Sequence, residues 1–136
     1  MTLRLDDATQ TAVGAAIAGA SSGSERAAAY TELQAELGTG YKVKFRQNGT
    51  VKLACTFSGS VSVVDNAVAI GSYVSVDTNT AADLATGTWT GRVESADGTK
   101  YVEGTAGLSG TDFVISASPD GSKVPAFALS LTFASS

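Results

Sequence analysis

The chain has 136 residues with nine basic and thirteen acidic side chains, one cysteine and no histidine, for a formal net charge of −4. This length fits a single domain, and the counts exclude a Ser-His-Asp triad, a histidine zinc site and an intrachain disulfide. The acidic balance argues against general nucleic-acid binding, and no apolar run approaches the ~20 residues of a membrane-spanning helix. We therefore expect no cofactor, no nucleic-acid partner and no membrane partner.

The first part of the chain has a helical pattern. Asp6 or Asp7 is a good N-cap for a helix over 8–19, which is rich in alanine. Such small, weakly apolar helices are typical of arms packed on a sheet. The sequence therefore predicts a helical N-terminal arm over 1–40 and an antiparallel β-sandwich domain over 41–136.

A second helix is predicted over about 25–37. Ser24 is placed to cap its N-terminus, and Gly38 is placed to end it. Its apolar residues recur at i, i+3 and i+7, which gives one stripe for packing. These residues are Tyr30, Leu33 and Leu37.

Two segments of alternating apolar and polar residues flank Asn48-Gly49, which is a hairpin signal. A two-residue loop would place apolar residues opposite lysines. A three-residue loop over 47–49 pairs Phe45 with Val51 and keeps the apolar residues on one face. We therefore predict the three-residue loop, a type I turn with a glycine bulge.

Asp97-Gly98 predicts a second hairpin with a two-residue type I′ turn. Its register pairs Arg92 with Glu103 and turns Trp89 inward. Together with the first hairpin and four further segments, this gives about eight short strands, which indicate a mainly β fold: an antiparallel sandwich, a jelly roll or a small barrel. The four further strands are predicted at 59–64, 67–76, 112–117 and 124–133.

The clearest candidate site is a basic hairpin face. Lys42, Lys44 and Arg46 alternate with apolar residues, and the predicted register adds Lys52 directly opposite Lys44. Four of the nine basic residues thus share one face of an acidic chain, although like charges are unfavourable when directly opposite. Two interpretations stay open: a solvated strand whose lysines prevent aggregation, or a docking surface for an acidic partner.

Other candidate sites are weaker. The segment 77–83 has the acidic character of a calcium loop but lacks the central glycine and closing glutamate of an EF-hand, so a polar loop is predicted. Most carboxylates fall in turns or on helix surfaces, where they are solvated. Cys55 alternates with core residues and has no histidine to activate it, so it is expected in the core. We expect no enzymatic activity.

Four segments after the helices share a pattern of strands and turns: GTVKLACTF at 49–57, GTWT at 87–90, SADGT at 95–99 and GTAG at 104–107. Together with an opening Leu-Arg-Leu at 3–5 before an alanine-rich helix, they resemble small virion proteins encoded by tailed phages and prophages, which implies a jelly-roll-like antiparallel sandwich. The chain departs from the resemblance at 21–40, where the second helix is predicted.

The resemblance implies a structural role in a virus particle, as a capsid cement (decoration) protein. Such a protein would bind the major capsid protein on the outer capsid surface as a homo-oligomer, a dimer or trimer. It would be made in the bacterial cytoplasm and reside on the virion, with the basic hairpin face as its contact. The alternatives are a tail or neck protein of the phage and a carbohydrate-binding β-sandwich module.

Overall fold

The computed structural model describes residues 4–57, 62–64, 67–69, 73–122, 124–125 and 127–130. Within these ranges the chain forms two helices and ten strands. The helices are α1 (Asp7–Gly19) and α2 (Gly23–Leu37). The strands are β1 (Arg4–Leu5), β2 (Lys42–Gln47), β3 (Thr50–Phe57), β4 (Ser62–Val64), β5 (Ala67–Ala69), β6 (Tyr73–Asn79), β7 (Trp89–Glu94), β8 (Tyr101–Gly107), β9 (Phe113–Ile115) and β10 (Phe127–Ser130).

The strands form one hydrogen-bonded path in the order β4-β5-β10-β9-β8-β7-β2-β3-β6, and β1 pairs with β8 beside this path. Every pairing is antiparallel except that of β8 with β9, which is parallel. The predicted class, mainly antiparallel β with two short helices, is therefore confirmed. The path is continuous rather than split into two separately bonded sheets, and the jelly-roll arrangement stays a prediction.

Aromatic rings from strands that are far apart in this path contact one another in the core. The Phe45 ring of β2 lies 6.1 Å from that of Phe113 and 5.2 Å from that of Phe127, both edge to face. Phe127 also meets Phe57 of β3 at 5.7 Å. Rings prefer this geometry because the positive edge of one meets the negative face of the other. Side chains of β9 and β10 therefore pack against those of β2 and β3 in the core.

The helices close the remainder of this core. The predicted stripe on α2 is confirmed, because Tyr30, Leu33 and Leu37 are all buried with the inner residues of the sheet. Gly38 ends α2 with a φ of +78°, and its N–H donates to the Gln34 carbonyl at 2.9 Å. Helices and strands share one cluster of buried residues.

The helix caps differ from the prediction in one case. The Asp6 carboxylate accepts from the Thr9 N–H at 3.2 Å, so α1 begins as predicted. The hydroxyl of Ser22, and not that of Ser24, accepts from the Glu25 N–H at 3.2 Å. Glu25 accepts in return from the N–H of Ser21, one residue before the N-cap, whereas in a capping box it would accept from the N–H of the N-cap itself. Ser22 is the serine three residues before a glutamate, and this spacing selects it.

The first hairpin has a two-residue turn, so the predicted three-residue loop is wrong. Asn48 and Gly49 have φ of +49° and +84°, the left-handed pair that a type I′ turn requires. Phe45 pairs with Leu53, and the register shifts between Phe45 and the next residue of β2. The shift leaves Lys52 as the extra residue of a β-bulge. The bulge, and not the loop, therefore brings the apolar residues of β2 and β3 back onto one face.

The second hairpin has the predicted register, with Arg92 opposite Glu103 and Val93 opposite Val102. Trp89 is buried, as predicted. Its ring N–H donates to backbone carbonyls of the preceding loop, which fixes the start of β7.

The turn of this hairpin is wider than predicted, and the type I′ prediction is wrong. The Ser95 N–H donates to the Lys100 carbonyl at 2.8 Å, and of the turn residues only Gly98 has positive φ. The Asp97 carboxylate accepts from the Ser95 hydroxyl at 2.6 Å and from the Thr99 N–H at 3.0 Å. Asp97 thus accepts hydrogen bonds through its side chain instead of taking the left-handed conformation.

The remaining predicted strands each contain described strands. The prediction at 67–76 divides into β5 and the first part of β6. The predicted strand positions 59–61, 70–72, 126 and 131–133 lie outside the described residues.

Gly91 on the inner face of β7 permits the close approach of Phe113 from β9. A Cβ built there would lie 2.3 Å from Cγ of Phe113. We expect Gly91→Ala to lower the free energy of unfolding by about 1–3 kcal/mol, as overpacking does. Urea denaturation measures the change, with Gly19→Ala as control, because a Cβ there meets nothing within 4 Å. Equal stability of the two variants would contradict this packing.

The Asp97 turn predicts a pH dependence. Its hydrogen bonds, that from Ser95 above all, lower the pKa of Asp97 from 3.8 to about 2. A carboxyl that holds its proton less tightly when folded stabilises the fold above its ordinary pKa and loses that contribution between about pH 4 and pH 2. Asp97→Asn keeps an acceptor but cannot titrate. Its melting temperature should therefore fall less than that of the wild type on acidification, measured by circular dichroism; parallel curves would contradict the assignment.

Candidate functional site

The side of the sheet that faces away from the core carries a band of charged residues. We call the outward-facing side chains of β1, β8, β7, β2, β3 and β6 the outer face. It holds six of the nine basic residues and three of the thirteen acidic ones. Its net charge is therefore +3, and the other three basic and ten acidic residues give the rest of the chain −7. The members are Arg4, Lys42, Lys44, Arg46, Lys52 and Arg92, with Asp77, Glu94 and Glu103.

Lys42 is paired near the β6 edge of the outer face. Its Nζ donates to the Thr56 hydroxyl at 2.9 Å and lies 3.5 Å from the Asp77 carboxylate. The Thr56 hydroxyl donates to the same carboxylate at 2.7 Å. This hydrogen bond, assisted by the Lys42 charge, lowers the pKa of Asp77. The cation, hydroxyl and carboxylate therefore tie β2, β3 and β6 together.

Lys44 is paired in the middle of the outer face. Its Nζ forms an ion pair with Glu94, which is 4% exposed. Arg92 lies 3.9 Å from the other oxygen of Glu94 and binds Glu103 through both Nε and Nη2. Cations on either side thus compensate the charge of a carboxylate that has lost most of its water.

Arg92 and Arg4 continue the row across Tyr101. The Arg92 guanidinium lies 4.1 Å from the centre of the Tyr101 ring, and that of Arg4 lies 5.5 Å away. Arg4 also donates to the Tyr101 hydroxyl at 2.9 Å. A guanidinium is attracted to the face of an aromatic ring, so Tyr101 orders both cations.

Arg46 and Lys52 differ from the other two candidates. The bulge places Ala54 opposite Lys44, so the prediction that Lys52 lies opposite Lys44 is wrong, and that like-charge contact does not exist. Among the described residues neither Arg46 nor Lys52 has a carboxylate within 4 Å. The Nη1 of Arg46 is buried with no hydrogen-bond acceptor. We call these two residues the tip pair, because they lie beside the Asn48-Gly49 turn.

The structure therefore brings the four sequence-predicted residues onto one face but divides them into two cations that are paired and two that have no acidic partner among the described residues. Sequence reasoning missed the partners Asp77 and Glu94, because they lie on β6 and β7, outside the hairpin that β2 forms with β3. Only the Arg92–Glu103 pair carried a local signal, the hairpin register.

The remaining candidates have structural roles. Cys55 is fully buried, as predicted, and burial raises the pKa of its thiol to about 11, so it stays protonated at neutral pH. Asp83 lies in a loop, where its side chain accepts from the Ala85 N–H at 2.9 Å. Within the described ranges no three His, Cys, Asp or Glu side chains lie together in a way that could hold a metal ion.

No described helix is both long and apolar enough to span a bilayer. Searches against protein-family models, curated proteins and solved structures found no match to this chain.

The buried Glu94 carboxylate at the centre of the outer face should matter more for stability than an exposed charge on the same face. Glu94→Gln removes the charge between Lys44 and Arg92, and we expect it to lower the free energy of unfolding by about 1–3 kcal/mol. Arg4→Gln is the control, because the Arg4 side chain is 67% exposed and exposed pairs contribute little. Urea denaturation measures both. A loss no larger for Glu94→Gln than for Arg4→Gln would contradict the role assigned to Glu94.

Proposed function

We propose that this chain is a non-enzymatic structural protein of a phage particle that docks on the outer surface of the capsid and stabilises the shell. The observation that carries the proposal is the charge separation, +3 on the outer face against −7 on the rest of the chain. Complementary charge steers encounter and orients the docked partner. The capsid as partner comes from the sequence resemblance to virion proteins.

The outer face suits docking because the fold holds much of its positive charge in place. Lys42, Lys44 and Arg92 are held by carboxylates or hydroxyls on neighbouring strands. These cations contribute to the potential that attracts and orients an acidic partner, and they do so without leaving their internal partners.

In the proposed role, weak individual contacts with the shell are enough for stable attachment. A shell presents many identical sites, so a homo-oligomer of this chain would engage several at once. Its overall affinity then exceeds that of one contact by a large factor without any new interaction. A closed dimer or trimer, seated on a local symmetry axis of the shell, is the arrangement we propose.

Co-sedimentation tests this function. The purified protein is mixed with bare, expanded shells assembled from the major capsid protein of the same genome, and the pellet is imaged by electron microscopy. We expect stoichiometric decoration that weakens as salt rises, because ions screen exposed charges. Free capsid subunits serve as the control and should not bind.

Two results would contradict the proposal. Absence of binding at low salt, with the protein forming rings or tubes alone, would favour a tail or neck component. Absence of binding, together with a melting temperature raised by sugars, would favour a carbohydrate-binding module.

A further inference from the structure

The cations of the outer face differ in what they would lose by binding a partner. Lys42 would give up its contacts with Thr56 and Asp77, and Lys44 would leave Glu94. Glu94 is 4% exposed, so water could not replace its lost partner fully. An external carboxylate must therefore compete with internal ones at these positions, and the net gain is small.

Arg46 would lose nothing of this kind. Its side chain makes no hydrogen bond or ion pair with a described residue, and its Nη1 lies buried without an acceptor. A buried donor without a partner costs free energy, and rotation of the side chain toward an external carboxylate would remove that cost. The planar guanidinium also binds a carboxylate through two parallel hydrogen bonds, which sets its orientation.

Lys52 places a second positive charge beside the first. Lys52 directly follows Val51, the residue that pairs with Arg46, so Lys52 lies next to that pair. The backbone of Lys52 is fixed, because its carbonyl accepts from the Thr80 N–H at 2.7 Å. Arg46 is fixed on its other side by pairing with Thr90 of β7. Both cations thus project from paired strands, although they lie next to a turn.

We infer that the tip pair, Arg46 and Lys52, is the anchor of the docking surface and binds an acidic segment of the capsid protein that presents at least two carboxylates. The paired cations Lys42 and Lys44 order the outer face but do not contact the partner's carboxylates. This inference rests on the proposed function. It narrows the contact from a whole face to the end of one hairpin.

The experiment compares two variants that each lose two positive charges from the same face. Arg46→Gln with Lys52→Gln removes the tip pair, and Arg4→Gln with Lys42→Gln removes two paired cations. Each variant is checked for wild-type melting behaviour and then titrated onto the bare shells. We expect the first to weaken binding by at least about tenfold and to flatten its salt dependence, and the second to change it by less than about threefold.

A zero-length carbodiimide cross-link on decorated shells gives a second readout without mutation. We expect an amide between Lys52 Nζ and an aspartate or glutamate of the capsid protein, identified by mass spectrometry. Cross-links at Lys42 or Lys44 with none at Lys52 would overturn the inference.

The two proposals fail in distinguishable ways. If the wild-type protein does not bind shells, the proposed function fails and the anchor fails with it. If the wild type binds and both variants weaken equally, the outer face acts through its total charge and only the anchor is overturned. Unchanged binding by the variant without the tip pair would likewise overturn the anchor and leave the proposed function standing.

Discussion

The pairing of β2 with β7 is the constraint on which the rest of the structure depends. It joins two local hairpins into one sheet and brings Lys44 and Arg92 to either side of Glu94. On the other side of the same strands it aligns Phe45 with Gly91, which leaves room for Phe113 of β9. One set of backbone hydrogen bonds therefore positions both the charged outer face and the aromatic core.

The bulge at Lys52 resolves a conflict between turn chemistry and face alternation. Asn-Gly favours a two-residue turn, but that turn alone would set the apolar residues of β2 against the lysine of β3. One extra residue in β3 satisfies both demands, and it also avoids the Lys44–Lys52 contact that a three-residue loop would create. Like Arg46, this extra residue, Lys52, has no carboxylate within 4 Å among the described residues, so a local solution to strand register also shapes the proposed contact surface.

Local signals predicted much of the fold. The α2 stripe, the inward position of Cys55 and the register of the second hairpin follow from periodicity over a few residues. The predicted turn of the first hairpin is wrong, because the alternation of apolar and polar residues alone does not reveal a bulge inside a strand. For the candidate site, the sequence identified the four cations but not their division, since Asp77 and Glu94 reach them only through pairings between distant segments.

The irregular edge strand β6 disfavours strand pairing between copies of the chain. Among the described strands it pairs only with β3, and that pairing is broken by two register shifts. A long, flat edge would invite another copy to add its own strand, whereas bulges and a charged residue such as Asp77 distort and solvate the edge. At high local concentration, β6 is therefore a poor template for strand addition by a second copy of the chain.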